Sequence, residues 1–186
     1  MILGDGAIRQ MVEGNQLITD IPSGEVLINP ASVNVRLGNT FLIPAHHGIF
    51  SLGDKIEYER KYVGDNDLYI LAPGAFCLAT TKEGVALPDN LAAFVQGRSS
   101  IGRVGLQVQN AGFVDPGFFG HITLELKNDS PYEISLRPGY PVAQLVFIDA
   151  VHVTMPYSGK YNGQVEATGS RMYQDKEAQD RREDSV

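Results

Sequence analysis

Alternating apolar and polar positions recur along most of the chain and predict short β-strands. The clearest alternations lie in residues 32–38 and 121–127. Other segments of similar character predict further strands at 39–43, 68–71, 75–80, 92–96, 132–136 and 143–148. Apolar residues Ile8, Met11 and Val12 have helical spacing and predict one short helix over residues 5–13. The pattern indicates a mainly β protein, a sandwich or barrel, with a short N-terminal helix.

The length of 186 residues allows one sizeable core and is too short for two comfortable domains. We expect a single domain over residues 1–173, with many turns because the chain has 20 Gly and 10 Pro. Residues 174–186 are almost wholly charged and polar, with no apolar period. This composition predicts a disordered or loosely attached flexible tail.

Several functional classes are disfavoured by composition. The formal net charge of −7 argues against a broad, non-specific grip on DNA or RNA. No apolar run approaches the roughly 20 residues that span a bilayer, and the N-terminus lacks a secretory pattern, so we expect a cytoplasmic protein that does not bind membranes. The single cysteine, Cys77, rules out an intrachain disulfide and a cysteine-rich zinc site, and its apolar neighbours predict a small buried side chain.

One short segment combines the groups that bind phosphate. Residues 97–103 (GRSSIGR) contain two guanidinium groups, two hydroxyls and two glycines. Arg binds phosphate oxygens with paired N–H donors, Ser adds hydroxyl donors, and Gly lets backbone N–H groups approach an anion. A polar turn between strands is the more common meaning of such a cluster, and composition leaves both interpretations open.

A carboxylate follows on a well-defined strand. In residues 121–127, Ile122, Leu124 and Leu126 share one face, which leaves Glu125 beside Thr123 on the other. The strand is preceded by a turn that begins at Asp115. An exposed Glu on an amphipathic strand is the ordinary interpretation, and periodicity alone does not overturn it.

Read together, residues 97–106, 111–118 and 120–126 resemble in order and spacing the signature block of dCTP deaminases. Residues 29–38 resemble that family's N-terminal motif, and residues 157–171 its C-terminal substrate-closing segment. The resemblance covers residues 1–173. It implies a dUTPase-like distorted β-barrel (β-clip) that forms homotrimers, with each site built from adjacent subunits.

The resemblance also implies roles for individual residues. Glu125 would be the proton shuttle of deamination, and Arg103 would lie near the reacting base and water. Asp115 would meet the 3′-hydroxyl, and Val114 would present backbone groups to the pyrimidine. The catalytic set would be Glu125, Asp115, Arg103 and Ser99. The substrate-binding set would be Arg98, Ser99, Ser100, Arg103, Gly112, Val114, Asp115, Lys160, Tyr161 and Gln164. Of these, Arg98, Ser99 and Ser100 would hold the triphosphate, and Lys160, Tyr161 and Gln164 would fold over it. Mg²⁺ would be held through the triphosphate rather than by protein ligands, and no zinc would take part.

The product is the remaining question. The family contains dCTP deaminases that release dUTP, dUTPases, and bifunctional enzymes that convert dCTP to dUMP. Gly102 and the short loop 109–112 resemble the bifunctional members, in which Asp115 would also orient the water that attacks the α-phosphate. We therefore expect dCTP to become dUMP and pyrophosphate in one site, supplying dUMP for dTMP synthesis. The alternatives are a monofunctional dCTP deaminase, a monofunctional dUTPase, which Glu125 disfavours, and a non-catalytic nucleotide-binding protein. Feedback by dTTP is plausible for the family.

Overall fold

The computed structural model of the protein describes residues 1–45, 48–109 and 112–183. It confirms a mainly β fold with a short N-terminal helix. The helices are α1 (Asp5–Glu13), α2 (Ser99–Gly102) and α3 (Lys176–Glu183). The strands are β1 (Leu17–Thr19), β2 (Leu27–Asn29), β3 (Ser32–Pro44), β4 (Tyr58–Tyr62), β5 (Tyr69–Leu71), β6 (Phe76–Ala86), β7 (Leu91–Gly97), β8 (Leu106–Gln109), β9 (Phe113–Val114), β10 (Phe119–Asn128), β11 (Ile134–Leu136) and β12 (Pro141–Asp149).

One antiparallel sheet holds most of these strands. Its order is β8–β10–β6–β3–β12–β7–β9, with β1 added to β6 and with β2 and β4 added to β3. The small second sheet consists of β5 and β11. The long strand β3 joins two halves because its first part pairs with β12 and its later part with β6. The sheet curls into a half-barrel around an apolar core that includes Phe41, Leu124 and Phe147.

The N-terminal helix lies where the apolar spacing placed it. Ile8 is fully buried, and α1 contacts β1 and β2. The N–H of Gly14 donates to the carbonyl of Gln10 at 3.2 Å, which closes the last turn. The predicted helix therefore forms, and its apolar face packs on the sheet.

The strand β3 differs from the two strands predicted at 32–38 and 39–43. Gly38 does not end the strand, because this residue packs directly on β6. A Cβ added at Gly38 would lie 2.9 Å from the carbonyl oxygen of Thr80. The pairing with β6 changes register between Leu37 and Phe41, so the glycine marks an irregularity within one strand.

The structure describes most of the predicted C-terminal tail. Residues 176–183 form α3, and residues 184–186 lie outside the described residues. Ala178 is only 7% exposed and lies against Gly53, where an added Cβ would come within 3.1 Å of the Ala178 side chain. The high helix propensity of Lys176 and its neighbours favours α3. Within the described ranges, no helix has both the length and the apolar character to cross a membrane.

Candidate active site

A cleft of about 830 Å³ lies between β10, the hairpin around β9 and the C-terminal segment, which we define as residues 157–175. Predicted site residues that line it come from all three elements. They are Gly112, Val114, Asp115, Glu125, Lys160, Tyr161 and Gln164. The structure therefore brings most of the proposed substrate-binding set together in one chain.

Glu125 stands in the middle of β10. Its neighbours Leu124 and Leu126 are buried in the core, so its carboxylate is on the cleft face, as the alternation predicted. The backbone is paired on both sides, with Leu78 of β6 and Gln109 of β8 opposite Glu125. Pairing on both sides fixes the backbone of Glu125 in the sheet, which suits a residue that moves a proton.

A β-bulge precedes Glu125 on the same strand. The pairing of β10 with β6 shifts between His121 and Thr123, and the hydroxyl of Thr81 fills the gap. This hydroxyl accepts from the N–H of Ile122 at 3.0 Å and donates to the carbonyl of Glu83 at 2.7 Å. Bulges bend a strand and redirect its side chains, and this one is at the edge of the cleft.

The hairpin before β10 forms a second wall. Val114 is buried and pairs with Ala93, whereas Asp115 is exposed at the start of the turn. The turn continues to Gly117, which has φ of +84° and lies against Pro156; a Cβ there would come within 2.7 Å of the proline ring. Only glycine fits this conformation and this close approach, so the turn and the C-terminal segment meet at Gly117.

The C-terminal segment docks on β10 through backbone pairing. His121 donates its N–H to the carbonyl of Gln164 at 2.7 Å, and the Gln164 side-chain amide donates to the carbonyl of His121 at 2.6 Å. Gly163 donates to the carbonyl of Phe119 at 2.7 Å, and Thr168 donates to the hydroxyl of Thr123 at 3.0 Å. The segment therefore lies along the strand that carries Glu125.

Two cationic side chains brace the outer end of this segment. Lys160 forms an ion pair with Asp175, and Arg171 donates to the carbonyl of Lys160. Both cations also lie near the ring of Tyr161, at 5.5 Å for the Lys160 Nζ and 5.9 Å for the Arg171 guanidinium. The Tyr161 hydroxyl accepts from the N–H of Arg171 at 2.9 Å. Of the two cations, Lys160 lines the cleft, where its ammonium group is paired with Asp175.

Gln164 carries an unusual buried acceptor. Its Nε2 is engaged with His121, and its Oε1 is buried with no hydrogen-bond partner among the described residues. The carbonyl of His121 fixes this orientation, because a flipped amide would place two oxygens together. A ligand O–H or N–H donor would satisfy Oε1, whereas a phosphate oxygen would not.

The predicted phosphate cluster is elsewhere. Within the described chain, Arg98, Ser99, Ser100 and Arg103 do not line the cleft. They lie on and beside α2, where Ser99, Ser100 and Arg103 are exposed. Arg98 is partly buried and donates to the carbonyl of Pro141 at 2.9 Å. Within one chain, these four residues are therefore not part of the cleft that holds Glu125.

Other cleft residues were missed by the sequence. Tyr58 lies on β4, which was not predicted, and its hydroxyl accepts from the N–H of Ser170 at 3.1 Å. Thr123 shares the face of Glu125, so the alternation could have identified it. Asn110 and Ala111 of the predicted short loop lie outside the described residues. Among the residues that are described, no group of three His, Cys, Asp or Glu side chains could hold a metal ion.

The fold is similar to that of proteins whose structures have been solved. The crystal structure of 2′-deoxycytidine 5′-triphosphate deaminase from Agrobacterium tumefaciens is similar, with a TM-score of 0.65 and 23% sequence identity. The similarity covers 80% of this chain and 48% of that chain. At this identity the likeness establishes the fold.

Sequence comparison identifies the family. A model described as dCTP deaminase-like matches residues 2–150. The protein named "dCTP deaminase, dUMP-forming" from Persephonella marina is 45% identical over 181 residues, which covers 95% of this chain and 100% of the relative. The protein of the same name from Sulfurihydrogenibium sp. is 43% identical, with the same coverage of both chains. The chain belongs to the dCTP deaminase family.

Proposed function

We propose that the protein deaminates dCTP and hydrolyses the resulting dUTP to dUMP and pyrophosphate in the same cleft. The observation that carries the proposal is the carboxylate of Glu125, fixed mid-strand in a cleft that also holds Asp115 and Lys160. The relatives named dUMP-forming match the whole length of the domain and favour dUMP as the product. The cytoplasmic location and the supply of dUMP for dTMP synthesis belong to the same proposal.

In the first reaction water replaces the amino group at C4 of cytosine. The Glu125 carboxylate takes a proton from the water as its oxygen attacks C4, and passes that proton to N3 of the ring. It then takes the second proton from the new C4 hydroxyl and gives it to the amino group, which leaves as ammonia as the C4 carbonyl forms. The products are dUTP and ammonia. Apolar neighbours such as Phe76 and Leu78 line the cleft, so the reacting groups are partly shielded from bulk water.

In the second reaction water attacks the α-phosphate, and the bond to the leaving pyrophosphate breaks. Asp115 would orient the water and contact the 3′-hydroxyl; its exposed place on the turn leaves its carboxylate free to reach the deoxyribose. The unpaired Oε1 of Gln164 suits a hydroxyl or amino donor of the nucleotide, which changes its predicted role from phosphate binding. Lys160 and Tyr161 would contact the phosphates.

Mg²⁺ fits this site as a companion of the substrate. The described residues contain no cluster of carboxylates that would hold the ion, so its ligands would be phosphate oxygens and water. Bound in this way it would neutralise part of the triphosphate charge. The protein groups that would complement it are Lys160 on the C-terminal segment and Arg98 and Arg103 of a second chain.

The residues of α2 do not line the cleft of their own chain. This arrangement favours an oligomer, which we propose to be a homotrimer. The exposed Ser99, Ser100 and Arg103 of one subunit would complete the cleft of the next. Exposed apolar side chains, including Phe94 and Phe119, offer surface for such an interface. Inhibition by dTTP, which shares the deoxyribose and triphosphate, would use the same site.

Product analysis tests the reaction. The protein is incubated with dCTP and Mg²⁺, and ammonia, dUTP, dUMP and pyrophosphate are separated and measured. Ammonia and dUMP in equal amounts are expected, whereas dUTP accumulating without dUMP would exclude the bifunctional enzyme. The Glu125→Gln variant should release no ammonia from dCTP, and Asp115→Asn should slow pyrophosphate release. Persistent deamination by Glu125→Gln would mean that another residue moves the proton.

Mixing two inactive variants tests whether subunits share the site. Arg103→Ala and Glu125→Gln chains are unfolded together, refolded and assayed for ammonia release. If each site takes Arg103 from one chain and Glu125 from another, random mixing restores about a quarter of the sites. If one chain supplied both residues, every site would lack one of them, and the mixture would be as inactive as its components.

A further inference from the structure

The C-terminal segment contains a carboxylate that the proposed reaction does not use. Asp175 lines the same cleft as Lys160 and forms an ion pair with its ammonium group. The Lys160 side chain is 25% exposed and that of Asp175 is 46% exposed, so the pair lies at the rim of the cleft. A phosphate that approaches Lys160 therefore meets a negative charge beside it.

Asp175 is held in place by its surroundings. Its carbonyl accepts from the N–H groups of Ala178 and Gln179, at 3.0 and 3.2 Å, at the start of α3. Its own N–H donates to the carbonyl of Met172 at 3.0 Å. The Met172 sulfur in turn accepts from the N–H of Gly53 at 3.3 Å, and Ala178 packs on the same glycine. The carboxylate is thus positioned by a docked helix rather than by a free tail.

We propose that Asp175 is a specificity-determining residue that makes the Lys160 ammonium available only to ligands with an extended phosphate chain. This inference rests on the proposed function, in which Lys160 contacts the phosphates. The carboxylate and a phosphate compete for the same ammonium. A di- or triphosphate that reaches Lys160 has enough charge to displace Asp175, whereas the single phosphate of dUMP lies next to the sugar and leaves the ion pair intact.

The exchange has a consequence for turnover. When pyrophosphate separates from dUMP, Asp175 can pair with Lys160 again and so lower the affinity for the departing anion. One unit charge a few ångströms away at a partly exposed site changes affinity by about three- to thirtyfold. Asp175 should therefore weaken the binding of dCTP and pyrophosphate by this factor and leave dUMP binding unchanged.

The test compares three variants with matched charge changes. Asp175→Asn and Asp175→Ser both remove the carboxylate and keep a side chain suited to the start of a helix. Asp180→Asn makes the same charge change at an exposed position of α3. The affinity for pyrophosphate with Mg²⁺ and for dUMP is measured by calorimetry on the full-length protein, and the KM for dCTP is measured by ammonia release.

Both Asp175 variants should bind pyrophosphate about three- to thirtyfold more tightly and lower the KM for dCTP to a similar extent. Their affinity for dUMP should stay within about twofold of the wild type, and so should all constants of Asp180→Asn. In a Lys160→Gln background, Asp175→Asn should no longer change pyrophosphate affinity, because the two residues act through one ion pair.

Three results would overturn the inference. These are unchanged or weaker pyrophosphate binding in both Asp175 variants, an equal gain for dUMP, and a gain that persists in the Lys160→Gln background. A wild-type protein that releases neither ammonia nor pyrophosphate from dCTP would instead contradict the proposed function. Intact turnover with unchanged pyrophosphate affinity in the Asp175 variants would contradict this inference alone.

Discussion

Gly120 controls the docking of the C-terminal segment on β10, and replacing it with alanine should weaken substrate binding. Gly120 has φ of +134°, and a Cβ at this position would lie 2.6 Å from the carbonyl oxygen of Gln164 and 2.9 Å from its nitrogen. These are backbone atoms that cannot rotate away. The segment must therefore withdraw from β10 in the Gly120→Ala variant.

Withdrawal breaks the two hydrogen bonds between His121 and Gln164. At about 0.5–1.5 kcal/mol each, the docked state loses about 1–3 kcal/mol. If docking is required for binding, the KM for dCTP rises about 5- to 150-fold. The positive φ adds about 1–3 kcal/mol of strain to the folded state, so Tm should fall by about 2–12 °C.

The assay combines dCTP kinetics with limited proteolysis. Gly120→Ala should be cleaved within residues 157–171 at protease concentrations that leave the wild type intact. Gly74→Ala is the matched control: Gly74 has φ of +73°, and a Cβ there meets no atom of the described chain within 4 Å. It should lower Tm without changing KM. A Gly120→Ala variant with wild-type KM and wild-type protease resistance would refute the role given to the segment.

Three further predictions concern single side chains. The Gly102→Ala substitution fits the described chain, since an added Cβ meets nothing within 4 Å. It should raise the ratio of dUTP to dUMP formed from dCTP. An unchanged ratio would mean that Gly102 does not determine which product is released. Glu83 is 1% exposed and pairs with Arg36 at 2.6 Å. The Glu83→Ala variant should lose about 3–5 kcal/mol of unfolding free energy, measured by urea denaturation, whereas Glu133→Ala at an exposed position should lose less than about 0.5 kcal/mol. Similar losses in the two variants would contradict the role of the buried pair. Burial raises the pKa of the Cys77 thiol to about 12, so only the unfolded thiol ionises between about pH 8.5 and 12, and stability falls as pH rises. From pH 8.5 to 10 the wild type should lose about 1.5 kcal/mol more than Cys77→Ala, and equal losses would refute this.

Local patterns predicted those elements whose faces are strongly unequal. The helix α1 and the face of Glu125 on β10 follow directly from the spacing of apolar residues. The strand β4 was missed because its sequence, YERKY, is mostly charged and mostly exposed. It forms because the adjacent edge of β3 offers pairing partners, which is a property of the tertiary structure.

Asp175 shows why part of the site escaped prediction. Its segment was interpreted as a tail because it lacks an apolar period, and a carboxylate in a tail suggests no contact with the cleft. The contact arises from two weak local features that act together, a helix-favouring sequence and one docked alanine, Ala178. Neither feature alone predicts where the helix packs, so the pairing with Lys160 is visible only in three dimensions.

Residues 98–103 and Glu125 are close in sequence, yet only Glu125 lines the cleft. The helix α2 follows β7 and is mostly exposed, whereas the later hairpin and β10 line the cleft. Within one chain, only the second of these sets lines the cleft. If α2 of one subunit faces the cleft of the next, the contact is heterologous, and a threefold ring closes it without leaving an unpaired α2 or an incomplete cleft. In the homotrimer that we propose, three equivalent sites would form together, and catalysis would depend on assembly.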